Sequence, residues 1–87
     1  MKADFIFLPH SIYLKNADGR ILAEITFPEK EPGLYEIERT YTAEEYIGTK
    51  LPGQLVEAAV TEIKNKGGRV SASCPYASKY LKEHGYL

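Results

Sequence analysis

"LYEIERTYTAEEYIGTKLPGQLVEAAVTEIKNKGGRVSASC", residues 34–74, decides the fold of this chain. Its opening nine residues, 34–42, are rich in β-branched and aromatic side chains. They alternate Leu34, Glu36 and Glu38 against Tyr35, Ile37 and Arg39, the period of a strand. Further on, Leu51, Leu55, Val56, Ala59, Val60 and Ile63 recur at helical spacing and form one apolar stripe. Pro52 suits the first helical turn, where a missing N–H costs little. "NKGGR" (65–69) ends the helix with a lysine in its last turn and glycine beyond. "RVSASC" (69–74) reads as another strand. Strand, helix and strand can close a right-handed crossover, which makes the two strands parallel.

The flanks supply the rest. "HSIYLKN", "ADGR" and "ILAEITF" (10–27) read as a hairpin turning at Asp18-Gly19, with Ile12 and Leu14 on one strand and Ile21, Ala23 and Ile25 lining a face of the other. "PEKEPG" (28–33) is a loop, and "PYASKYLKEHG" (75–85) a second helix with Pro75 in its first turn. The predicted order is β-β-β-α-β-α, one α+β domain over residues 1–87 whose mixed sheet joins an antiparallel hairpin to a parallel β-α-β crossover. A ligand has a natural place where parallel strands meet the N-terminus of the crossover helix.

Composition limits the partners. A net charge of −1 gives no reason to expect nucleic acid or an anionic membrane. Residues 1–50 carry six Lys/Arg against nine Asp/Glu, whereas 51–87 carry five against three, a mildly basic part that suits an anionic ligand. The apolar run in "MKADFIFLPH" is too brief for a signal peptide or membrane span. The lone cysteine, Cys74, excludes an internal disulfide and any multi-cysteine metal site. His10 and His84 lack metal-ligand spacing, so no metal is expected, and the simplest location is the cytoplasm. No nucleophile elbow, Walker loop or basic-aromatic RNA motif occurs.

The junction "YIGTKLPGQLVEA" (46–58) has the elements of an anion cradle: a turn glycine, backbone amides and the positive end of a helix. Gly48, Thr49, Lys50, Leu51, Gly53 and Gln54 all have amides to offer, and Pro52 has none. If Lys50 took a positive φ, the strain would cost roughly 1 kcal/mol, which an ammonium–phosphate contact could offset.

The chain resembles the very small bacterial members of the GNAT superfamily of N-acetyltransferases over residues 10–84. The resemblance rests on "IYLKNADGRILAEITF", "YEIERTYT", "LVEAAVTEIKNKGGRV" and above all "SASCPYASKYLKEH", where cysteine, aromatic and alanine stand in the group's register. Gly48 matches the first glycine of the superfamily's loop. Ile47 stands in place of its arginine, Lys50 in place of its second glycine, and Pro52 in place of a small residue. Arg39 replaces the group's strand histidine.

The resemblance implies that the protein binds acetyl-CoA and transfers the acetyl group to an amine. The pyrophosphate would sit on the 48–54 loop, and pantetheine would pair with the backbone at Thr40, Tyr41 and Thr42. Glu38, in the position of the group's aspartate, is a candidate base. Cys74, at a strand end and helix start that lowers a thiol pKa, is a candidate nucleophile or proton donor. Tyr76 is a second candidate donor to the leaving sulfur. The alternative is a non-catalytic interaction module that has lost CoA binding, its strand split filled by Tyr35, Tyr41 or Tyr46 or by a partner. A half-length domain can also complete its acceptor site as a homodimer.

Overall fold

The 34–42 segment, expected as one strand, is two. Residues 4–87 are described by a computed structural model. In it β1 (Ile6–Leu8), β2 (Ser11–Lys15) and β3 (Ile21–Thr26) precede β4 (Glu29–Glu31), β5 (Leu34–Ile37) and β6 (Arg39–Thr42). A 3₁₀ turn at Glu44–Tyr46, helix α1 (Leu51–Asn65), β7 (Arg69–Ala72) and helix α2 (Pro75–Glu83) complete the order. The architecture is α+β, with the expected antiparallel hairpin and parallel crossover. One sheet runs β1-β2-β3-β6, all antiparallel, and the other runs β4-β5-β7, with β5 and β7 parallel.

The sheets part at Glu38. Glu38 donates its N–H to the Thr26 carbonyl at 3.1 Å, yet Thr26 is also the register partner of Arg39. Two residues thus oppose one, a β-bulge, and the strand bends. On its other side the Ile37 carbonyl accepts the N–H groups of Ser73 (3.0 Å) and Cys74 (3.2 Å). β5 therefore stays with β7 while β6 leaves with β3. The bulge also shifts the inward set from odd to even positions. Tyr35 and Ile37 are buried before it, whereas Thr40 and Thr42 share the face of Ile25 and Ala23 after it.

The α1 stripe is buried at all six expected positions and packs on Ile12, Ala23, Ile25, Phe27, Tyr35 and Ile37. α2 adds Ala77 and Leu81 to the same core. Each large side chain so buried contributes about 1.5–3 kcal/mol. Ile21 is a correction. The register slips between Leu14 and Lys15, so Lys15 opposes Ile21 while Leu14 opposes Ala23, and Ile21 is 40% exposed with Leu22 buried in its place. β1 and β4 fall where no strand was expected: β1 has three residues, and β4 (Glu-Lys-Glu), in the 28–33 loop, is polar throughout.

Pairing leaves one strand edge facing the helices. Ala43 donates to Leu22 at 2.8 Å, and antiparallel bonding alternates, so Arg39 and Tyr41 turn their backbone groups toward β3. Thr40 and Thr42 turn theirs to the open edge.

The crossover returns past a tight contact. A Cβ on Gly68 would lie 2.7 Å from two ring carbons of Tyr35 and 3.2 Å from the Gly33 carbonyl oxygen. Gly68→Ala should displace the Tyr35 ring and destabilise the fold by about 1–3 kcal/mol, read as a lower thermal midpoint. An unchanged midpoint would contradict this packing.

Candidate functional site

The edge of β6 opens onto a groove of about 490 Å³ lined by Thr40, Tyr41, Thr42, Ile47, Gly48, Thr49, Pro52 and Tyr76. That volume is in the range of small-molecule sites. A second hollow of about 550 Å³ adjoins it and shares Thr49 and Tyr76. Its other walls are Lys50, Gly53, Gln54, Glu57 and Tyr80. The groove is not filled by tyrosine. Tyr35 is in the core against Gly68, Tyr46 packs against the core, and Tyr41 forms a wall.

The loop into α1 is built by two residues. Gly48 has φ +87°, a left-handed conformation that glycine adopts without penalty. Thr49 donates its hydroxyl to the Tyr46 carbonyl (2.6 Å) and accepts the Leu51 N–H (3.2 Å), so it caps the helix in place of Lys50. Lys50 itself has φ −77° and ψ −11°, and the positive-φ strain considered for it is absent.

The six loop amides are not equally available. Thr49 donates to Tyr46, Leu51 to Thr49, and Gln54 to the Lys50 carbonyl. The N–H groups of Gly48, Lys50 and Gly53 have no acceptor among the described residues. The Leu51 side chain belongs to the core. These three donors, the positive end of α1 and the Lys50 ammonium together suit an anion.

Cys74 borders the groove through Thr40. It occupies the position before Pro75 at the start of α2, and its Sγ lies 3.3 Å from Thr40 Oγ1. Burial pushes the thiol up, but the Thr40 hydroxyl and the backbone amides of Ala77, Tyr76 and Thr40 outweigh it. The net effect holds Cys74 below the ordinary thiol range. Tyr76, by contrast, is pushed up, by burial first and then by Cys74 and Glu83, so it keeps its proton at neutral pH. It packs against Tyr80, with ring centroids 6.3 Å apart.

Glu38 is not brought to this place. It is exposed on the bulge, its carboxylate is paired with Lys30, and it lines neither hollow. Arg39 is exposed beside it. Among the described residues no group of His, Cys, Asp or Glu could hold a metal ion, and no helix is long and apolar enough to cross a membrane.

One cluster had no signal in the sequence. Glu57 of α1 accepts hydrogen bonds from Tyr80 (2.7 Å) and Tyr86 (2.6 Å), 23 and 29 residues away. The Tyr86 hydroxyl, against opposing burial and with help from Tyr80, holds the Glu57 carboxyl below the usual range. His84 stacks on Tyr80 at 3.8 Å. The cluster ties α2 and the residues after it to α1, and so fixes the helix that carries Tyr76.

A family model described as GCN5-related N-acetyl-transferase matches residues 11–86. No curated protein matches the sequence. Among solved structures, a GCN5-like protein from Staphylococcus aureus is 25% identical with a TM-score of 0.78, covering 97% of this chain and 83% of that one. An acetyltransferase from Trypanosoma brucei shares 19% identity at a TM-score of 0.64, over 88% of this chain and 61% of that one. A ribosomal-protein-alanine N-acetyltransferase from Brucella melitensis biovar Abortus 2308 shares 14% at 0.58, over 85% of this chain and 60% of that one. The last two likenesses concern the fold alone, and this chain spans about three-fifths of each.

Two measurements test the site's electrostatics. The Cys74 thiolate should form at lower pH than in a free thiol, as followed by ultraviolet absorbance or alkylation rate. Thr40→Val, which removes the hydroxyl and keeps the bulk, should raise that pKa and slow alkylation at neutral pH. The same titration in both proteins would refute the assigned cause. Second, the folded Glu57 carboxyl titrates below its unfolded value, so its contribution to stability is present above the unfolded pKa and is lost as pH falls through the folded one. Glu57→Gln should flatten the acid limb of a stability–pH curve, and an unaltered limb would exclude Glu57 as its source.

Proposed function

The chain belongs to the GCN5-related N-acetyltransferase family, and on that premise we propose that it binds acetyl-CoA and transfers the acetyl group to an amine. The observation that carries this reading is the open groove along the edge of β6, with Gly48 and Tyr76 in its walls, beside a hollow lined by Lys50 and Gly53.

The parts suit the donor's parts in order. A pyrophosphate fits the amides of Gly48, Lys50 and Gly53 beside the Lys50 ammonium. An extended amide-bearing arm fits the outward backbone groups of Thr42 and the Thr40 carbonyl, with Tyr41, Ile47 and Pro52 as apolar walls. The donor supplies a thioester, whose carbonyl an amine attacks and whose sulfur leaves needing a proton. Tyr76 holds a proton at neutral pH and lines the groove, so we assign it the donation to that sulfur. Cys74 stands behind Thr40, its Sγ 3.3 Å from the Thr40 hydroxyl. Since Glu38 is held by Lys30 outside the groove, the proton lost by the amine goes to water.

An interaction module would need the split filled, and its open state favours the enzyme reading. Amide NMR titration with acetyl-CoA, with CoA and adenosine as controls, tests the proposal. Shifts are expected in residues 48–53 and 40–42, and an unchanged spectrum at millimolar ligand would rule the reading out. Lys50→Ala should weaken CoA binding about 10- to 100-fold at low salt, the value of a contact between charged groups.

A further inference from the structure

The β4-β5-β7 sheet ends at β7, and among the described residues no strand lies beyond it. Arg69 and Ser73 donate their N–H groups to the carbonyls of Gly33 (2.7 Å) and Ile37 (3.0 Å). Donors alternate along a parallel ladder, so Val70 and Ala72 turn their backbone N–H and C=O groups away from β5. The edge they form carries no charge after Arg69, no proline and no slip in its register with β5, so nothing along it discourages another strand.

Two neighbours of this edge suit a second copy of the same chain. Val70 and Ala72 share the core face with Tyr35 and Ile37, which leaves Arg69, Ser71 and Ser73 on the outer face. Arg69 is exposed there and has no carboxylate partner among the described residues. At the other end of the strand Ser73 donates its hydroxyl to Glu36 at 2.9 Å. One end of the outer edge is therefore positive and the other negative. On the helix side, a hollow of about 390 Å³ lies against the start of β7, with Lys64, Gly67, Gly68 and Tyr86 among its walls.

We propose that this edge pairs with the same edge of a second copy, antiparallel about a two-fold axis at Ser71. Val70 then faces Ala72 of the second copy, and each such pair exchanges two N–H···O bonds. Arg69 faces Ser73 of the second copy and reaches the Glu36 beside it, so opposite charges meet at both ends. The hollow lies where the second copy leaves its β7 for α2, and it gives that turn room. The backbone fixes the register. A shift of two residues one way sets Ala72 against Gly68, whose N–H is already held by Ile63 at 3.0 Å. The opposite shift sets Val70 against Cys74, whose N–H is held by Ile37 at 3.2 Å.

Sedimentation equilibrium from micromolar to millimolar protein tests the pairing. The wild type should approach twice the monomer mass at the upper end, and amide exchange at Val70 and Ala72 should slow as it does. Ser71→Lys, which opposes two like charges at the axis, should stay monomeric throughout. Arg69→Glu should weaken the dimer about 10-fold or more, and adding Glu36→Arg should restore it. A wild type that is monomeric at millimolar concentration would overturn the proposal, even if every variant failed to fold. So would a dimer in which Val70 and Ala72 exchange as fast as in the monomer, because the copies would then be joined elsewhere.

Discussion

A strand that belongs to two sheets cannot remain straight, and the rest of this molecule depends on that constraint. Ile37 commits its carbonyl to β7 and α2 while Glu38 commits its N–H to β3. Between these two bonds the chain has to bend. The bend separates β6 from β7, exposes the backbone of Thr40 and Thr42, and leaves room for the groove. It also brings the Thr40 side chain against Cys74. The crossover helix then lies with its N-terminus at the mouth of the split, where its unpaired donors are of use.

Much of this was legible in the sequence where a period was long enough to read. The α1 stripe repeats over fifteen residues and has one solution, and all six of its members are buried. Strands were read less well because their evidence is shorter. The bulge at Glu38 moves the inward positions from odd to even, but the residues beyond it that turn inward are threonines, so no apolar pattern records the change. β4 is three charged residues, and nothing in Glu-Lys-Glu distinguishes an edge strand from a loop.

The site was legible in a different sense. Gly48, Cys74 and Tyr76 are recognisable from a family's register, and they meet around the split. Which amides are free was not readable, since that depends on one threonine hydroxyl filling the role of helix cap. Nor could a sequence show that Glu38 is held by Lys30 away from the groove. Glu57 drew no notice because its partners stand on another helix and beyond it, and a carboxylate within a helix is ordinary until the tyrosines that bond it are seen. Lys50 shows the converse. A side chain where relatives have glycine looks like an obstruction in a string of letters, yet its backbone is right-handed and unstrained.

The open edge of β6 has a cost unrelated to chemistry. Unpaired strand edges invite other strands, and proteins blunt them with charge or brevity. β4 carries three charges and β1 has only three residues. β6 is four residues long and carries its one charge at Arg39, so Thr40-Tyr41-Thr42 has none. Its neighbours Ile47 and Tyr76 are exposed besides. The edge is shielded instead by its surroundings, since the loop before α1 and Tyr76 of α2 stand across the groove from it and leave no flat face for another strand.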